Sequence, residues 1–247
     1  MKIVKFLLIL ILVLAIGLFI FTQVASEDLP VGKAGSAADK LAEEVMQRLN
    51  KPAFDSIAYL QWEFFRAGQK YLWDKKDNVA IIEWGDNKVL MDLDSQRAKS
   101  YANGVEQAGA EHEKLKAKAW SNWCNDSFWM IAPFKLFDKG TTREIVPLED
   151  GQPGDQGLKI TYVSGGVTPG DSYLWYLDKD LRPYKWKMWT SILPVKGLGT
   201  TWSGWEEHDG AMLSTAHTLA GQDVTMKNVK AAKTWSEFGF SEDPFQF

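Results

Sequence analysis

Two histidines and a pair of carboxylates are the residues of this sequence best placed to do chemistry. His208 and His217 lie on or beside successive predicted strands, so their rings can approach each other across a sheet. A zinc site needs at least three protein ligands, and two histidines are therefore an incomplete site. Glu206 and Glu207 could act as acid and base at a glycosidic bond, but nothing in the sequence selects one pair of carboxylates over another. We expect solvated histidines, no metal and no catalytic residue.

Recognised catalytic signatures are missing from the chain. It contains no Gly-x-Ser-x-Gly, no His-Glu-x-x-His, no phosphate-binding glycine loop and no Cys-x-x-Cys. The single cysteine, Cys124, cannot form an intramolecular disulfide, and its neighbours Trp123 and Asn125 supply no base that would activate a thiol. We therefore expect a protein that is not an enzyme and that carries no cofactor.

Aromatic side chains are the unusual feature of the composition, with 12 Trp, 7 Tyr and 13 Phe. In residues 168–190 they alternate with other side chains, as they do in a strand with one apolar face. By this alternation Tyr184 lies with Trp186 and Met188, while Lys185 and Lys187 face away. The pattern predicts one bulky apolar sheet face, whose candidate ligand-binding residues are Trp62, Phe64, Tyr71, Trp73, Tyr173, Trp175, Trp186 and Met188. This face is either core beneath helices or an apolar concavity that binds a ligand.

The elements that position these residues are mostly short strands. Ser36 is a predicted helix N-cap, and apolar residues at helical spacing follow until Pro52 stops the run. A second helix is predicted from Glu111 to Trp123, followed by a short helix that Asp126 caps and Pro133 ends. About ten strands are predicted, in two meanders: 57–64, 71–74, 79–84, 88–94, 158–163, 173–178, 184–190, 200–207, 212–219 and 224–229.

These elements predict an α+β, β-dominated fold. We expect a large curved antiparallel sheet, an incomplete β-barrel, with the N-terminal helix and the mid-chain helical insertion packed on its concave face. The net charge of -4 and the pI near 5.5 argue against nucleic acid as a partner. No composition break divides the sheet region, so we expect one domain and a monomer.

The N-terminus carries a targeting signal. Lys2 and Lys5 precede an apolar run from Phe6 to Phe21, and small residues at 24–26 would permit cleavage before Glu27. The sequence leaves open a cleaved signal peptide and an anchor in the inner membrane through residues 6–22. In both cases the domain is extracytoplasmic, periplasmic or envelope-associated. We divide the chain into a signal peptide or signal anchor (1–26), a linker (27–35), a single half-barrel domain (36–235) and a C-terminal tail (236–247).

Three stretches carry a resemblance to a known superfamily. They are NDSFWMIAPFKL at 125–136, GVTPGDSYLWYLD at 166–178 and YLWD at 71–74. With the order of the elements, they resemble an uncharacterised extracytoplasmic, outer-membrane-lipoprotein-sorting-like branch of the lipoprotein-carrier (LolA/LolB-like) superfamily. The resemblance covers most of residues 40–230 and implies a half-barrel whose apolar cavity accepts acyl chains. It transfers no functional residue to a position of this chain.

Three functions remain open at this stage. The first is a non-enzymatic protein that holds a lipid or lipoprotein acyl chain in an apolar cavity between sheet and helices. The second is a carbohydrate-binding or carbohydrate-processing protein, for which Trp202 and Trp205, near Ser203, Glu206 and Glu207, would have to be exposed. The third is a structural envelope protein whose aromatic residues are all core.

Overall fold

The computed structural model describes residues 2–64 and 68–247, and its main element is one curved antiparallel sheet of fifteen strands. The helices are α1 (Lys2–Ala25), α2 (Ser36–Arg48), α3 (Lys51–Ser56) and α4 (Gly109–Ile131). The strands are β1 (Lys33–Ala34), β2 (Tyr59–Phe64), β3 (Gln69–Asp74), β4 (Val79–Trp84), β5 (Asn87–Asp92), β6 (Ala98–Ala102), β7 (Val105–Glu106), β8 (Thr141–Val146), β9 (Gln156–Tyr162), β10 (Asp171–Leu177), β11 (Pro183–Trp189), β12 (Leu198–Thr201), β13 (Ser203–His208), β14 (Ala211–Leu219) and β15 (Gln222–Ala232). The predicted fold class is confirmed.

The sheet joins the two predicted meanders into one continuous surface. Its order is β1-β8-β9-β10-β11-β12-β14-β15-β2-β3-β4-β5-β6-β7, with β13 paired to β14 beside this path. The contact between the meanders is the pair β15–β2, in which Met226 lies opposite Phe64. Four strands escaped the sequence prediction, namely β1, β6, β7 and β8, and the predicted strand 200–207 is divided into β12 and β13.

Helix α2 follows its apolar periodicity and ends before Pro52, as predicted, but its N-cap residue is Gly35 and not Ser36, which is the first residue of the helix. Leu41 and Val45 of α2 are buried against the sheet, as the spacing predicts. A second short helix, α3, then begins at Lys51, and Pro52 fits in its first turn because the missing N–H of proline is not needed there. Asn50 precedes α3 in a left-handed conformation, and its side chain accepts a hydrogen bond from the Ala53 N–H at 3.4 Å.

Helix α4 is one continuous helix, so the predicted break and the cap at Asp126 were wrong. The helix runs through Asp126 to Ile131 and ends in a single 3₁₀ turn at 132–134, which contains Pro133. Asp126 is only 3% exposed and accepts hydrogen bonds from Tyr71 and Asn125, so its carboxylate is not directed at a helix N-terminus. The Asp126 side chain therefore bonds to Tyr71, a residue distant in sequence, and does not cap a helix as its sequence position suggested.

Both faces of the sheet carry buried apolar residues. The inner face, which α2, α3 and α4 cover, holds the main core. On the outer face, Leu72 and Ile81 pack with Phe245, so the end of the predicted C-terminal tail lies against β3 and β4. A second outer cluster contains Leu174, Tyr176 and Trp189. Tyr176 and Trp189 thus lie outside the inner lining, as the alternation predicts.

Tyr184 departs from the predicted alternation. The pairing of β10 with β11 shifts between Tyr176 and Leu177, so that Lys185 pairs with Tyr176 and Pro183 pairs with Leu177. This β-bulge leaves Tyr184 as the extra residue and directs it to the outer face, where its hydroxyl donates to Asp155 at 2.6 Å. Tyr184 therefore does not line the inner face with Trp186.

Residues 26–34, predicted to be mainly linker, cross the outer face of the sheet. The Glu27 N–H donates to the Lys196 carbonyl at 3.0 Å, and the Trp189 indole donates to the Glu27 carbonyl at 2.8 Å. Further along, the Lys159 ammonium donates to the Pro30 carbonyl at 2.7 Å, and β1 pairs with β8. The segment after α1 is thus part of the folded domain.

Candidate ligand-binding face

All eight candidate residues lie on the inner face. Six of them are buried, including Trp175 and Trp186, which are 2% and 1% exposed, and Trp73 and Tyr173 are half-buried. All eight belong to the main core or pack directly against it. The aromatic face predicted from the sequence is therefore brought together, and it is covered by helices.

The larger aromatic cluster lies on β10, on β11 and at Trp202, the residue between β12 and β13. The Trp186 ring is central, with centroid distances of 4.7 Å to Tyr173, 4.8 Å to Trp175 and 4.9 Å to Trp202. The geometries are tilted or edge-on, which the quadrupoles of aromatic rings favour. Such packing orients each ring by several others, so the cluster is a defined surface and not a loose apolar layer.

The smaller aromatic cluster lies on β2 and β3. Trp62 stacks on Tyr71 with a centroid distance of 4.8 Å, and Trp73 meets Trp123 edge-on at 5.3 Å. Trp62 also contacts Trp123 at 5.6 Å. Trp123 belongs to α4, so this cluster is a contact between the helix and the sheet.

Helix α4 covers both clusters with three aromatic residues. Trp123 packs on the smaller cluster, while Phe128 and Trp129 approach Trp186 at 5.7 Å and 5.5 Å between ring centroids. The sequence prediction placed Trp123 on the apolar stripe but missed Phe128 and Trp129 as covering residues. Phe128 and Trp129 are half-buried and lie beside the fully buried stripe of α4, so helical spacing alone does not identify them.

Buried polar atoms without a hydrogen-bond partner accumulate in this aromatic layer. Within residues 2–64 and 68–247, they include the indole N–H groups of Trp62, Trp175, Trp186 and Trp202. Leaving a buried donor unpaired costs about 1–3 kcal/mol, so native structures usually provide a partner. Four such indole donors lie in this one aromatic layer, where a ligand that carries hydrogen-bond acceptors could pair with them.

One side-chain hydrogen bond holds α4 to the smaller cluster. The Tyr71 hydroxyl on β3 donates to the Asp126 carboxylate, which also accepts from the Asn125 amide at 2.7 Å. Burial raises the pKa of Asp126 above its usual range, although both hydrogen bonds act in the opposite direction. Burial, followed by the charge of Asp126, raises the pKa of Tyr71 as well. The pair is thus a buried polar contact that is sensitive to the position of the helix.

His217 belongs to the larger cluster and not to a metal site. Its ring lies 4.6 Å from Trp202 and 5.3 Å from Trp129, and its Nδ1 is 3.0 Å from the Thr201 carbonyl oxygen. Burial lowers the pKa of His217 to about 4, so the ring is neutral at pH 7. The expectation of a solvated histidine was wrong here, because His217 faces the core.

His208 does not approach His217. In the β13–β14 pairing His208 lies opposite Ala211, while Ser203, at the other end of β13, lies opposite Ala216. The two histidines are therefore at opposite ends of the hairpin. Across the described part of the chain, no group of three or more His, Cys, Asp and Glu side chains could hold a metal ion. Burial raises the pKa of the Cys124 thiol to about 12, which makes it a poor nucleophile at neutral pH.

The tryptophans that favoured sugar binding are not both exposed. Trp202 is 1% exposed and packs against Trp175 and Trp186. Trp205 is half-buried, and its indole N–H donates to the Pro183 carbonyl at 3.1 Å. The open stacking platform that the second function requires is therefore not present at these two residues.

Two clefts lie away from the larger aromatic cluster. One, of about 260 Å³, is bordered by residues of α2 and α3, including Met46, Gln47 and Pro52. The other, of about 180 Å³, lies over β2, β3 and β4 and is bordered by Glu63 and Phe240. Neither cleft is lined by a residue of the larger cluster, and a ligand on that cluster would have to displace covering side chains.

Comparison with known proteins finds similarity to solved structures but not to family models or curated proteins. No protein-family model matches the chain, and no curated protein matches it. The crystal structure of a DUF1329 family protein from Desulfovibrio piger ATCC 29098 is similar in structure, with a TM-score of 0.48 and 12% sequence identity. The similarity covers 86% of this chain and 100% of the other.

Proposed function

We propose that this chain is a non-enzymatic binding protein of the cell envelope, which holds a lipid or lipoprotein acyl chain between α4 and the inner face of the sheet. The observation that carries the proposal is the aromatic layer beneath α4 with its unpartnered indole donors. An acylated ligand matches both features. Its hydrocarbon chain can pack against the rings, and the ester or amide carbonyls at its polar end can accept hydrogen bonds from the indoles.

Binding requires the second half of α4 to move away from the sheet. Removing the contacts of Phe128 and Trp129 costs about 3–5 kcal/mol for each ring, by analogy with truncation of buried aromatic residues. A buried acyl chain returns about 0.8 kcal/mol per methylene, so roughly ten methylenes would offset the opening. Because opening costs more than a short acyl chain returns, we expect a site that is closed without ligand and that binds long acyl chains in preference to short ones.

The N-terminal segment supports the envelope location. Within α1, residues Lys5–Ala25 form a 21-residue span with mean hydropathy 2.9, of which only 6% is buried. An exposed helix of this kind is stable in a bilayer or is removed as a signal sequence. With Lys2 and Lys5 on the cytoplasmic side, either outcome would leave the sheet outside the cytoplasm, which supports the proposed envelope location.

The test is acyl-chain binding by variants that loosen the helix. We expect dansyl-undecanoic acid to bind the protein, and Trp129→Ala to bind it more tightly because less ring contact must be broken. The matched control is Trp189→Ala, which removes a buried indole from the outer face. Both variants lose stability, but only Trp129→Ala should gain affinity.

Two results would contradict the proposal. The first is the absence of dansyl-undecanoic acid binding to the wild type and to Trp129→Ala, together with native mass spectra that show no co-purifying lipid. The second is an equal gain of affinity in Trp189→Ala, which would indicate binding to partly unfolded protein. The first result would favour the purely structural function, in which the aromatic residues serve only as core.

A further inference from the structure

Exposed apolar residues gather at one end of the sheet. Among the large hydrophobic side chains that are exposed in the described chain after residue 35, four lie in loops at the same strand ends. They are Phe137 (41% exposed), Val163 (56%), Val167 (46%) and Ile192 (64%). We call these four residues the apolar rim.

The strand register places the rim residues at a common edge. Tyr162, the last residue of β9, lies opposite Thr141 at the start of β8 and opposite Asp171 at the start of β10. Ser172 in turn lies opposite Trp189, the last residue of β11. The loops 137–140, 163–170 and 190–197 therefore leave the sheet side by side.

Hydrogen bonds tie these loops to one another. The Val163 N–H donates to the Gly140 carbonyl at 2.8 Å, and the Ser164 hydroxyl donates to the Lys139 carbonyl at 3.1 Å. The Ser191 N–H donates to the Asp171 carboxylate at 2.8 Å. The rim is thus carried by connected loops, and its apolar side chains are held at neighbouring positions.

Helix α1 ends at this same rim. Ser26, the residue after α1, accepts a hydrogen bond from the Lys196 N–H at 3.0 Å, and the Glu27 N–H donates to the Lys196 carbonyl at 3.0 Å. Lys196 lies in the loop that carries Ile192. The 21-residue apolar span that ends at Ala25 is about 31 Å long at 1.5 Å per residue, close to the thickness of a bilayer core. Its C-terminal end, and with it the Ile192 loop, would lie at the membrane surface.

We propose that the apolar rim is a membrane-docking surface that inserts into the outer boundary of the bilayer in which α1 is anchored. Continuity with α1 selects a lipid surface over a protein partner, because the loop of Ile192 is hydrogen-bonded to the residues that leave the membrane. Lys139 is exposed in the same loop as Phe137 and suits the anionic headgroups at that depth, while the intervening Asp138 is paired with Lys135. The rim thereby holds the sheet upright on the bilayer, with the strands directed away from it.

The experiment uses the full chain in vesicles of phosphatidylethanolamine and phosphatidylglycerol. Single variants Ile192→Cys and Val163→Cys are labelled with the environment-sensitive fluorophore NBD, and Lys179→Cys is the control. Lys179 is exposed in the turn between β10 and β11, at the opposite end of the strands. Unsubstituted protein measures any labelling of Cys124, whose raised pKa makes it slow to react.

We expect the labels at Ile192 and Val163 to shift their emission to shorter wavelength in vesicles and to be quenched by nitroxide lipids. The label at Lys179 should do neither. Rim labels that stay as exposed to water as the label at Lys179 overturn the proposal. The inference rests on the envelope location proposed above, with α1 retained as the anchor, but not on acyl-chain binding. If the full chain does not float with the vesicles, the location itself is wrong, and loss of dansyl-undecanoic acid binding alone leaves the rim unaffected.

Discussion

The Tyr71 hydroxyl on β3 donates a hydrogen bond to the carboxylate of Asp126 on α4, and both residues are almost completely buried. The bond crosses from the sheet to the helix that covers it. Because it lies within an aromatic layer, where water cannot replace a lost partner, its strength depends on the helix being in place. Substitutions at Tyr71 and Asp126 are therefore the most direct test of how α4 is attached to the sheet.

Replacing Tyr71 by Phe should lower the free energy of unfolding by about 1–3 kcal/mol, because the ring remains while the buried carboxylate loses a donor. Chemical denaturation followed by tryptophan fluorescence measures the loss. In an Asp126→Asn background the same substitution should cost less, since an unpaired amide is cheaper to bury than an unpaired carboxylate. Equal losses in the two backgrounds would show that the hydrogen bond does not hold the helix.

His217 should make the protein less stable in mild acid. Its pKa is lowered to about 4 in the folded protein, below the ordinary 6.5, so the unfolded chain binds the additional proton between these values. Stability is therefore lost as the pH falls from 6.5 towards 4, by roughly 3 kcal/mol at 1.36 kcal/mol per pKa unit. Denaturation midpoints at pH 7 and pH 4.5 measure this loss.

A His217→Gln variant separates this effect from the titration of carboxyl groups. The pKa of Asp126 is raised by burial, so its contribution has the opposite sign, and it is present in both proteins. The wild type should lose more stability than His217→Gln between the two pH values. Parallel losses would mean that His217 is not the responsible group.

The C-terminal residues should contribute to stability although they lie outside the half-barrel predicted from the sequence. Phe245 is buried against Leu72 and Ile81 on the outer face, so Phe245→Ala should cost about 3 kcal/mol in thermal or chemical unfolding. Phe240→Ala is the matched control, because Phe240 is 37% exposed. If both substitutions lower the free energy of unfolding by a similar amount, the loss cannot be attributed to the packing of Phe245 in particular.

Trp189→Phe should loosen the segment that follows α1. The substitution keeps an aromatic ring, although a smaller one, and removes the indole N–H that donates to the Glu27 carbonyl. That hydrogen bond is worth about 1 kcal/mol, so its loss should raise the population of molecules with a detached segment roughly fivefold. Limited proteolysis, read by mass spectrometry, should show faster cleavage within residues 27–35. Trp205→Phe removes a comparable indole bond to Pro183 and should not change that rate.

The strand alternation was enough to predict the inner face from the sequence. Trp62, Trp175 and Trp186 share a face because successive side chains in a strand point to opposite sides, whatever the tertiary contacts are. Tyr184 escaped the rule because a β-bulge inserts one residue, and a single extra residue exchanges the two faces. Bulges have no reliable local sequence signature. The position of Tyr184 depends on how β11 pairs with β10, which the sequence of β11 alone does not reveal.

The helices were less predictable where polar residues are buried. Asp126 resembles an N-cap in sequence, since a short polar side chain before an apolar run is the usual sign of one. Its role in the fold comes from Tyr71, which is 55 positions away along the chain. Tertiary contacts also decide the environment of Trp202, which the carbohydrate hypothesis requires to be exposed and which instead packs against Trp175 and Trp186.

The hydrogen bonds of Ser26 and Glu27 to Lys196 also set an order of events during biogenesis. A signal peptidase needs its scissile bond in an extended, accessible segment, and the bond before Glu27 is held by the folded domain on both sides. Cleavage at this bond therefore has to precede the pairing of β11 and β12, or else wait for the segment to detach. The relative rates of folding and proteolysis would then decide whether a given molecule is released or remains tethered.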